Sequence, residues 1–158
     1  MKKLCCWLGI ILLPIVADAQ KKLGEAASIE TVEIKGDVIP GVRVTAIVKV
    51  KLEKGYHVHS NKPSQPEFIP TVLTIGPLPG VKAGSVIYPV GKAERVAGLD
   101  KPLSVYEEHF EISIPLALNA RAKLPLSVPA TLSYQACQGA KCYAPQNLKF
   151  DVRLSGAK

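Results

Sequence analysis

The sequence predicts an all-β domain, because three patterns coincide along it. Hydrophobic residues alternate with polar ones in several short segments, which is the period of a strand with one buried face. Clusters of Gly, Pro, Asn and Asp separate these segments. Beyond the first 20 or so residues no long helical stripe is free of proline or glycine, apart from a possible short turn near Leu23 to Ala27. Eight or nine short strands at this spacing predict a β-sandwich of the immunoglobulin-like type.

The start of the chain has the pattern of an export signal. Two lysines follow the initial Met, residues 4–16 form an apolar run, and Ala17 to Ala19 has the small-x-small form of a signal peptidase site. The apolar run is interrupted by Pro14 and is shorter than the roughly 20 residues a transmembrane helix needs. We therefore expect residues 1–19 to be a cleaved signal peptide and the exported chain not to be transmembrane.

Residues 20–158 are predicted to form a single domain. Their length fits one hydrophobic core, and no linker or change of composition suggests a second. The whole chain carries 20 Lys and Arg against 13 Asp and Glu, a net charge of +7, but its basic residues are spread out without interleaved aromatics. This pattern is typical of a solvated surface and argues against nucleic-acid binding. We expect a monomer.

Three segments have the firmest strand patterns. Val42 to Leu52 largely alternates hydrophobic and polar residues, and Phe110 to Leu118 and Leu148 to Leu154 show the same period. Pro115 predicts that one edge of the second segment has no partner at that point. The weaker strand candidates, all short stretches between turn residues, are 31–35, 56–59, 71–75, 81–88, 124–128 and 131–136.

Cys137 and Cys142, in the stretch YQACQGAKCYAP, are the two cysteines outside the predicted signal peptide. In an exported protein two nearby thiols tend to form a disulfide. The strand pattern places them at a hairpin tip, where closing a loop of about six residues stabilises the fold by roughly 2 kcal/mol. Such a small contribution is weak for a structural bond, and close spacing suits thiol exchange. The spacing alone leaves a structural disulfide and a redox-active one both open.

The surrounding residues carry a resemblance to a known family. YQACQGAKCYAP resembles the cysteine hairpin of the N-terminal periplasmic domain of the thiol:disulfide interchange protein DsbD, also described as a disulfide bond corrector domain. Four further stretches agree with single-domain relatives of this group, and the match covers most of the mature chain in order, from about Val42 to Leu154. They are KGYHVHSNKP, FIPTVLTI, VIYP and LSVYEEHFEISIP.

The resemblance implies a stand-alone, periplasmic, immunoglobulin-like domain that acts as a thiol-disulfide oxidoreductase component without a bound cofactor. Its Cys137–Cys142 pair would pass reducing equivalents from a thioredoxin-like protein or membrane thiol reductase to periplasmic disulfide-containing proteins. Cys142 matches the family cysteine that forms the interdomain link, and which cysteine is attacked first stays open. The family shields its pair with a loop, and Tyr88 to Val105 is where that cap would fall.

Several residues are candidates for tuning the two thiols. Lys141 could favour the thiolate of its neighbour, and His57 and His59 lie on one face of a predicted strand that the resemblance brings near the cysteines. Tyr134 and Tyr143 flank the pair and could pack over the sulfurs.

The sequence also departs from the family pattern. Ala144 stands where the family often has the first of two prolines. Ser85 and Val86 stand where the better-known domain has acidic cap residues, so a role for such carboxylates is not carried over.

Two other functions remain open at this point. The domain could be a non-catalytic periplasmic binding module with a structural disulfide, docking by strand pairing or loop contact. His57 and His59 could instead join His109 in a Cu or Zn site, to which a reduced cysteine pair would add soft ligands. No segment has a recognised metal-ligand spacing, so we expect no metal.

Overall fold

The computed structural model describes residues 25–156, so the predicted signal peptide of residues 1–19 lies outside the described residues. Within the described part, no helix has the length and apolar character needed to cross a membrane. The strands in chain order are β1 (Ala27–Lys35), β2 (Arg43–Leu52), β3 (His57–His59), β4 (Val72–Ile75), β5 (Val81–Ala83), β6 (Lys92–Glu94), β7 (Leu103–Glu107), β8 (His109–Leu118), β9 (Leu126–Tyr134), β10 (Ala136–Gln138), β11 (Lys141–Cys142) and β12 (Gln146–Leu154).

These strands form three antiparallel sheets. The first sheet has the order β1-β2-β8-β5, the second has the order β11-β10-β3-β7-β6, and the third has the order β12-β9-β4. Only Gln135 separates β9 from β10, so one run of chain passes from the third sheet into the second. The prediction of an all-β, immunoglobulin-like sandwich is confirmed.

The core lies between the first sheet and the other two. In β2 and β8 every second side chain is buried, as the alternating pattern predicts: the buried residues are Val44, Ala46, Val48, Val50 and Leu52 in β2 and Phe110, Ile112, Ile114, Leu116 and Leu118 in β8. Facing them in the same cluster are residues of the other sheets, among them Leu73, Leu132 and Val152. Burying an Ile or Leu side chain completely contributes about 1.5–3 kcal/mol, so this cluster is the main source of stability.

β8 is a central strand and pairs with β2 at Pro115, but on its other side the strand β5 ends opposite Leu116, so the missing strand partner predicted at Pro115 is found on that side. The backbone N–H of Gly84 donates to the carbonyl oxygen of Pro115 at 2.7 Å, just after β5 ends at Ala83. The same arrangement recurs in β9, where Gly76 donates to the carbonyl of Pro129 at 2.7 Å after β4 ends at Ile75. A proline lacks an N–H, and it is tolerated here because each neighbouring edge strand stops beside it.

The segment predicted as a loop, Tyr88 to Val105, contains β6 and the beginning of β7. β7 pairs with β3, and β6 forms the edge of the second sheet beside β7. The three residues of β6, Lys-Ala-Glu, are all polar or small, so the strand has no hydrophobic period that a sequence pattern could reveal. This addition, and the short strands of the cysteine hairpin, raise the strand number above the eight or nine expected.

Candidate functional site

The cysteines lie opposite each other in the β10–β11 hairpin. Cys137 pairs with Cys142 and Gln138 pairs with Lys141, so the chain turns at Gly139 and Ala140. Gly139 has a φ of 54°, in the left-handed region that glycine adopts at little cost. The expected disulfide is present, with an S–S distance of 2.01 Å.

The two halves of the disulfide differ sharply in exposure. β11 is the edge strand of the second sheet, and Cys142 is exposed there. β10 is an inner strand between β11 and β3, and Cys137 is 0% exposed. The disulfide therefore joins one exposed residue, Cys142, to one enclosed residue, Cys137.

Two histidines of β3 lie beside the disulfide. His57 is directly opposite Cys137, so the two side chains share a face of the sheet, and His59 lies on the same face two residues further along. The Nε2 atom of His59 is 3.8 Å from the Sγ atom of Cys137. Val58, between the histidines, points into the sandwich core. The predicted placement of His57 and His59 at the cysteine site is thus what the structure has.

Both histidines are buried although they face away from the main core. Their exposed fractions are 3% for His57 and 1% for His59. Burial and the neighbouring His57 lower the pKa of His59, because desolvation disfavours the charged imidazolium. The Nδ1 atom of His57 lies 3.1 Å from Oε2 of Glu94, an ion-pair distance without hydrogen-bond alignment. The lowered pKa of His59 favours its neutral imidazole form at neutral pH.

A second, small hydrophobic cluster covers this outer face of the sheet. It consists of Val96, Leu103 and Val105, with Phe68 packed against them. The ring of Phe68 stacks on that of His59, with 4.5 Å between centroids and an interplanar angle of 19°. Phe68 comes from the connection between β3 and β4, which sequence reasoning did not assign to the site. The feature of the sequence that could have indicated this contact is a single aromatic residue in a proline-rich connection.

The comparisons with known proteins identify the family. The family model for the N-terminal region of the thiol:disulfide interchange protein DsbD matches residues 28–154. The chain belongs to this family. A comparison with curated protein sequences gives no significant match.

Three of the solved structures that resemble this chain come from Proteus mirabilis and Neisseria meningitidis. The N-terminal periplasmic domain of ScsB from Proteus mirabilis is 16% identical with a TM-score of 0.54, and the alignment covers 82% of this chain and 47% of that one. The DsbD N-terminal domain of Neisseria meningitidis in the reduced form is 19% identical, with a TM-score of 0.48 and coverages of 79% and 85%. In the complex between the DsbD and PilB N-terminal domains of the same organism, the matched chain is 19% identical with a TM-score of 0.46. That alignment covers 77% of this chain and 80% of the other.

The ScsB domain shares the sandwich fold with this chain, which spans about half the length of that structure. Membership of the DsbD N-terminal family, together with the Cys137–Cys142 disulfide, supports thiol-disulfide exchange as the activity.

The remaining residues predicted for this DsbD-type site are more scattered. Tyr143 donates its hydroxyl to Oε1 of Gln138 at 2.7 Å, and the ammonium of Lys141 lies 5.2 Å from its ring centroid. Lys141 is exposed and Tyr143 is half-buried, on either side of Cys142 in the chain. Tyr134 is buried, and its hydroxyl accepts a hydrogen bond from the backbone N–H of Ala27, so its hydroxyl points into the sandwich and not over the sulfurs.

The predicted cap segment lies along the histidine side of the site. Tyr88 accepts a hydrogen bond from the N–H of Leu73 at 2.8 Å, which ties the start of the segment to β4. Further along, Glu94 contacts His57 and Val96 packs against Phe68. Capping of the disulfide itself by this segment stays a prediction.

The possible metal ligands differ from those expected. The imidazole of His109 lies on β8 in the first sheet, where its Nδ1 is 3.3 Å from Oε2 of Glu30. Within residues 25–156, the potential ligand atoms that lie close together belong to His59, Cys137 and Cys142.

Proposed function

We propose that the protein is a periplasmic thiol-disulfide exchange domain. Its Cys137–Cys142 pair would carry reducing equivalents between a thioredoxin-like protein or membrane thiol reductase and periplasmic disulfide-containing proteins. The observation that carries the proposal is a disulfide with one exposed and one enclosed cysteine, beside a buried imidazole, in a domain of the DsbD N-terminal family. The predicted signal peptide and the family support the periplasmic location.

The difference in exposure supports different roles for the two cysteines. A partner thiolate attacks the Sγ atom of the exposed Cys142, the S–S bond breaks, and the sulfur of Cys137 leaves with the electron pair. The second thiol of the partner then attacks the partner's own sulfur in the mixed disulfide and releases Cys142 as a thiolate. Two electrons pass to the domain, two protons follow, and the partner is left with a disulfide. Delivery to a target disulfide runs through the same steps in reverse.

His59 is placed to act on the enclosed sulfur. The leaving sulfur of Cys137 cannot be solvated well, because its residue is fully buried. With Nε2 3.8 Å from that sulfur, a neutral imidazole can hydrogen-bond to the thiol that forms on reduction. We therefore assign His59 as the positioning residue for Cys137. The ring of His57 lies beside it, with 6.1 Å between the two ring centroids.

Two measurements test the exchange function. The reduction potential of the pair, from equilibration of the protein with glutathione or dithiothreitol mixtures, should lie well above about −300 mV. A binding module with an inert disulfide predicts a value below this limit.

Matched single-cysteine variants give the second measurement. Cys137→Ser, which keeps the exposed thiol, should form a mixed disulfide with a thioredoxin-like protein. Cys142→Ser, which keeps the enclosed thiol, should form it far more slowly. A low potential together with no mixed disulfide from either variant would sink the proposal.

A further inference from the structure

The disulfide and His59 bring together three atoms that bind soft metal ions once the disulfide is reduced. The two Sγ atoms of Cys137 and Cys142 and a ring nitrogen of His59 all lie within 4.8 Å of one another. Two thiolates and one imidazole are a known ligand set for Zn²⁺, and thiolates also favour Cu⁺.

The spacing of these atoms is close to that of a tetrahedral site. Bond lengths of about 2.3 Å for Zn–S and about 2.05 Å for Zn–N put a sulfur and a nitrogen ligand about 3.6 Å apart. The Nε2 atom of His59 is 3.8 Å from the Sγ atom of Cys137. The same bond lengths put two sulfur ligands about 3.8 Å apart, a distance that the two sulfurs can take up once the disulfide bond is broken.

The surroundings hold the imidazole and leave an approach for the ion. Phe68 stacks on His59 and packs against the small cluster that contains Val105, which restricts the ring. The exposed Cys142 lies at the edge of the sheet, so an ion can enter from that side. The fourth position of a tetrahedron would face solvent, as in metal sites that keep an open position.

We propose that the reduced protein binds one d¹⁰ cation, Zn²⁺ or Cu⁺, through the imidazole of His59 and the thiolates of Cys137 and Cys142. A dithiol first reduces the disulfide and is itself oxidised to a disulfide. Binding then releases up to two protons as the thiols become thiolates, and no electrons move in this step. Metal binding and the disulfide exclude each other, so a bound ion withdraws both thiols from exchange. The inference goes beyond thiol exchange and requires only that the pair can be reduced chemically.

The test is a metal titration of the mature protein in both redox states. The protein is reduced with a phosphine and freed of reductant without oxygen. It is then titrated with Zn²⁺ against a chromophoric chelator and with Cu⁺ against a Cu⁺-specific chelator. The reduced protein should bind one ion, and the oxidised protein should bind at least 100-fold more weakly. Co²⁺ as a spectroscopic probe should give thiolate-to-metal charge transfer and the visible bands of a tetrahedral site.

Variants separate this site from adventitious binding. His59→Gln should lower the affinity at least tenfold, whereas His109→Gln, at an exposed histidine of the first sheet, should leave it unchanged. Cys142→Ser, at an exposed position, should abolish the Co²⁺ charge-transfer signal without unfolding the protein. Equal binding in both redox states, or equal affinity of the reduced wild type and His59→Gln, would overturn the metal site. A normal reduction potential in the same samples would leave the exchange function standing.

Discussion

Reducing the Cys137–Cys142 disulfide should lower the stability of the domain only modestly. The bond closes a small loop, because the cysteines are five positions apart in sequence. In the chain-entropy model a closed loop of about six residues is worth about 2 kcal/mol at 25 °C. Domains of this size are usually stable by about 5–15 kcal/mol, so the reduced fold should persist. A pair that cycles between two redox states requires this persistence.

The native contacts of the hairpin support the same estimate. β10 pairs with β3 at Ala136 and Cys137, and the N–H of Tyr143 donates to the carbonyl of Ala136 at 2.9 Å. These hydrogen bonds do not depend on the sulfurs. Reduction therefore acts mainly by giving freedom to the unfolded chain, and the free energy of unfolding should fall by about 2 kcal/mol.

Urea unfolding of the oxidised and reduced protein measures this difference. At a slope of about 2 kcal/mol/M the midpoint should fall by about 1 M. Thermal unfolding should show a drop of about 6 to 10 °C. Cys142→Ser is the matched control, since its exposed serine costs little, and its midpoint should not respond to reductant. A loss above about 4 kcal/mol, or unfolding on reduction, would instead show that the bond is a structural one.

Three further predictions concern the core, the surface and the cover of the site. Ile114 is fully buried in β8. Ile114→Ala should therefore lower the free energy of unfolding by about 2–5 kcal/mol, and Ile114→Val should lower it by about 0.5–1.5 kcal/mol. Equal losses for the two variants in urea unfolding would contradict this packing. The Nζ atom of Lys49 lies 2.8 Å from Oε1 of Glu33, and this contact holds the pKa of the Glu33 carboxyl below its usual range. Glu33→Gln should therefore lower the urea midpoint slightly at neutral pH, and the difference should vanish as the pH falls through the folded pKa of Glu33; a difference that persists in strong acid would argue against the pair. Phe68→Ala should speed alkylation of Cys137 in the reduced protein, followed by mass spectrometry, while the exposed cysteine reacts at its usual rate; unchanged rates at both would show that Phe68 does not control access.

Much of the sandwich could be predicted from the sequence, because its long strands bury one face. β2 and β8 largely alternate apolar and polar residues, and a period of two fixes which side chains enter the core. β6 could not be predicted, since a three-residue edge strand of Lys, Ala and Glu has no buried face. Its existence depends on pairing with β7, which only the folded chain brings beside it.

The site shows the same division between local and tertiary information. The cysteine hairpin and the shared face of His57 and His59 follow from turn residues and strand period. The stacking of Phe68 on His59 depends on a connection of about twelve residues folding back over the sheet, for which the sequence carries no period. Burial of the two histidines was missed for this reason, since nothing local indicates what covers them.

The near-continuity of β9 and β10 has a consequence for how this domain can evolve. The enclosed cysteine belongs to a run of chain that also carries core residues such as Leu132, so its position is constrained by the whole sandwich. The exposed cysteine belongs to a two-residue edge strand followed by Tyr143 and Ala144 at the surface. Substitutions around the exposed cysteine can therefore alter the surface beside the disulfide while the fold stays intact. The surroundings of one cysteine of the disulfide can therefore vary, while the position of the other cysteine is fixed by the core.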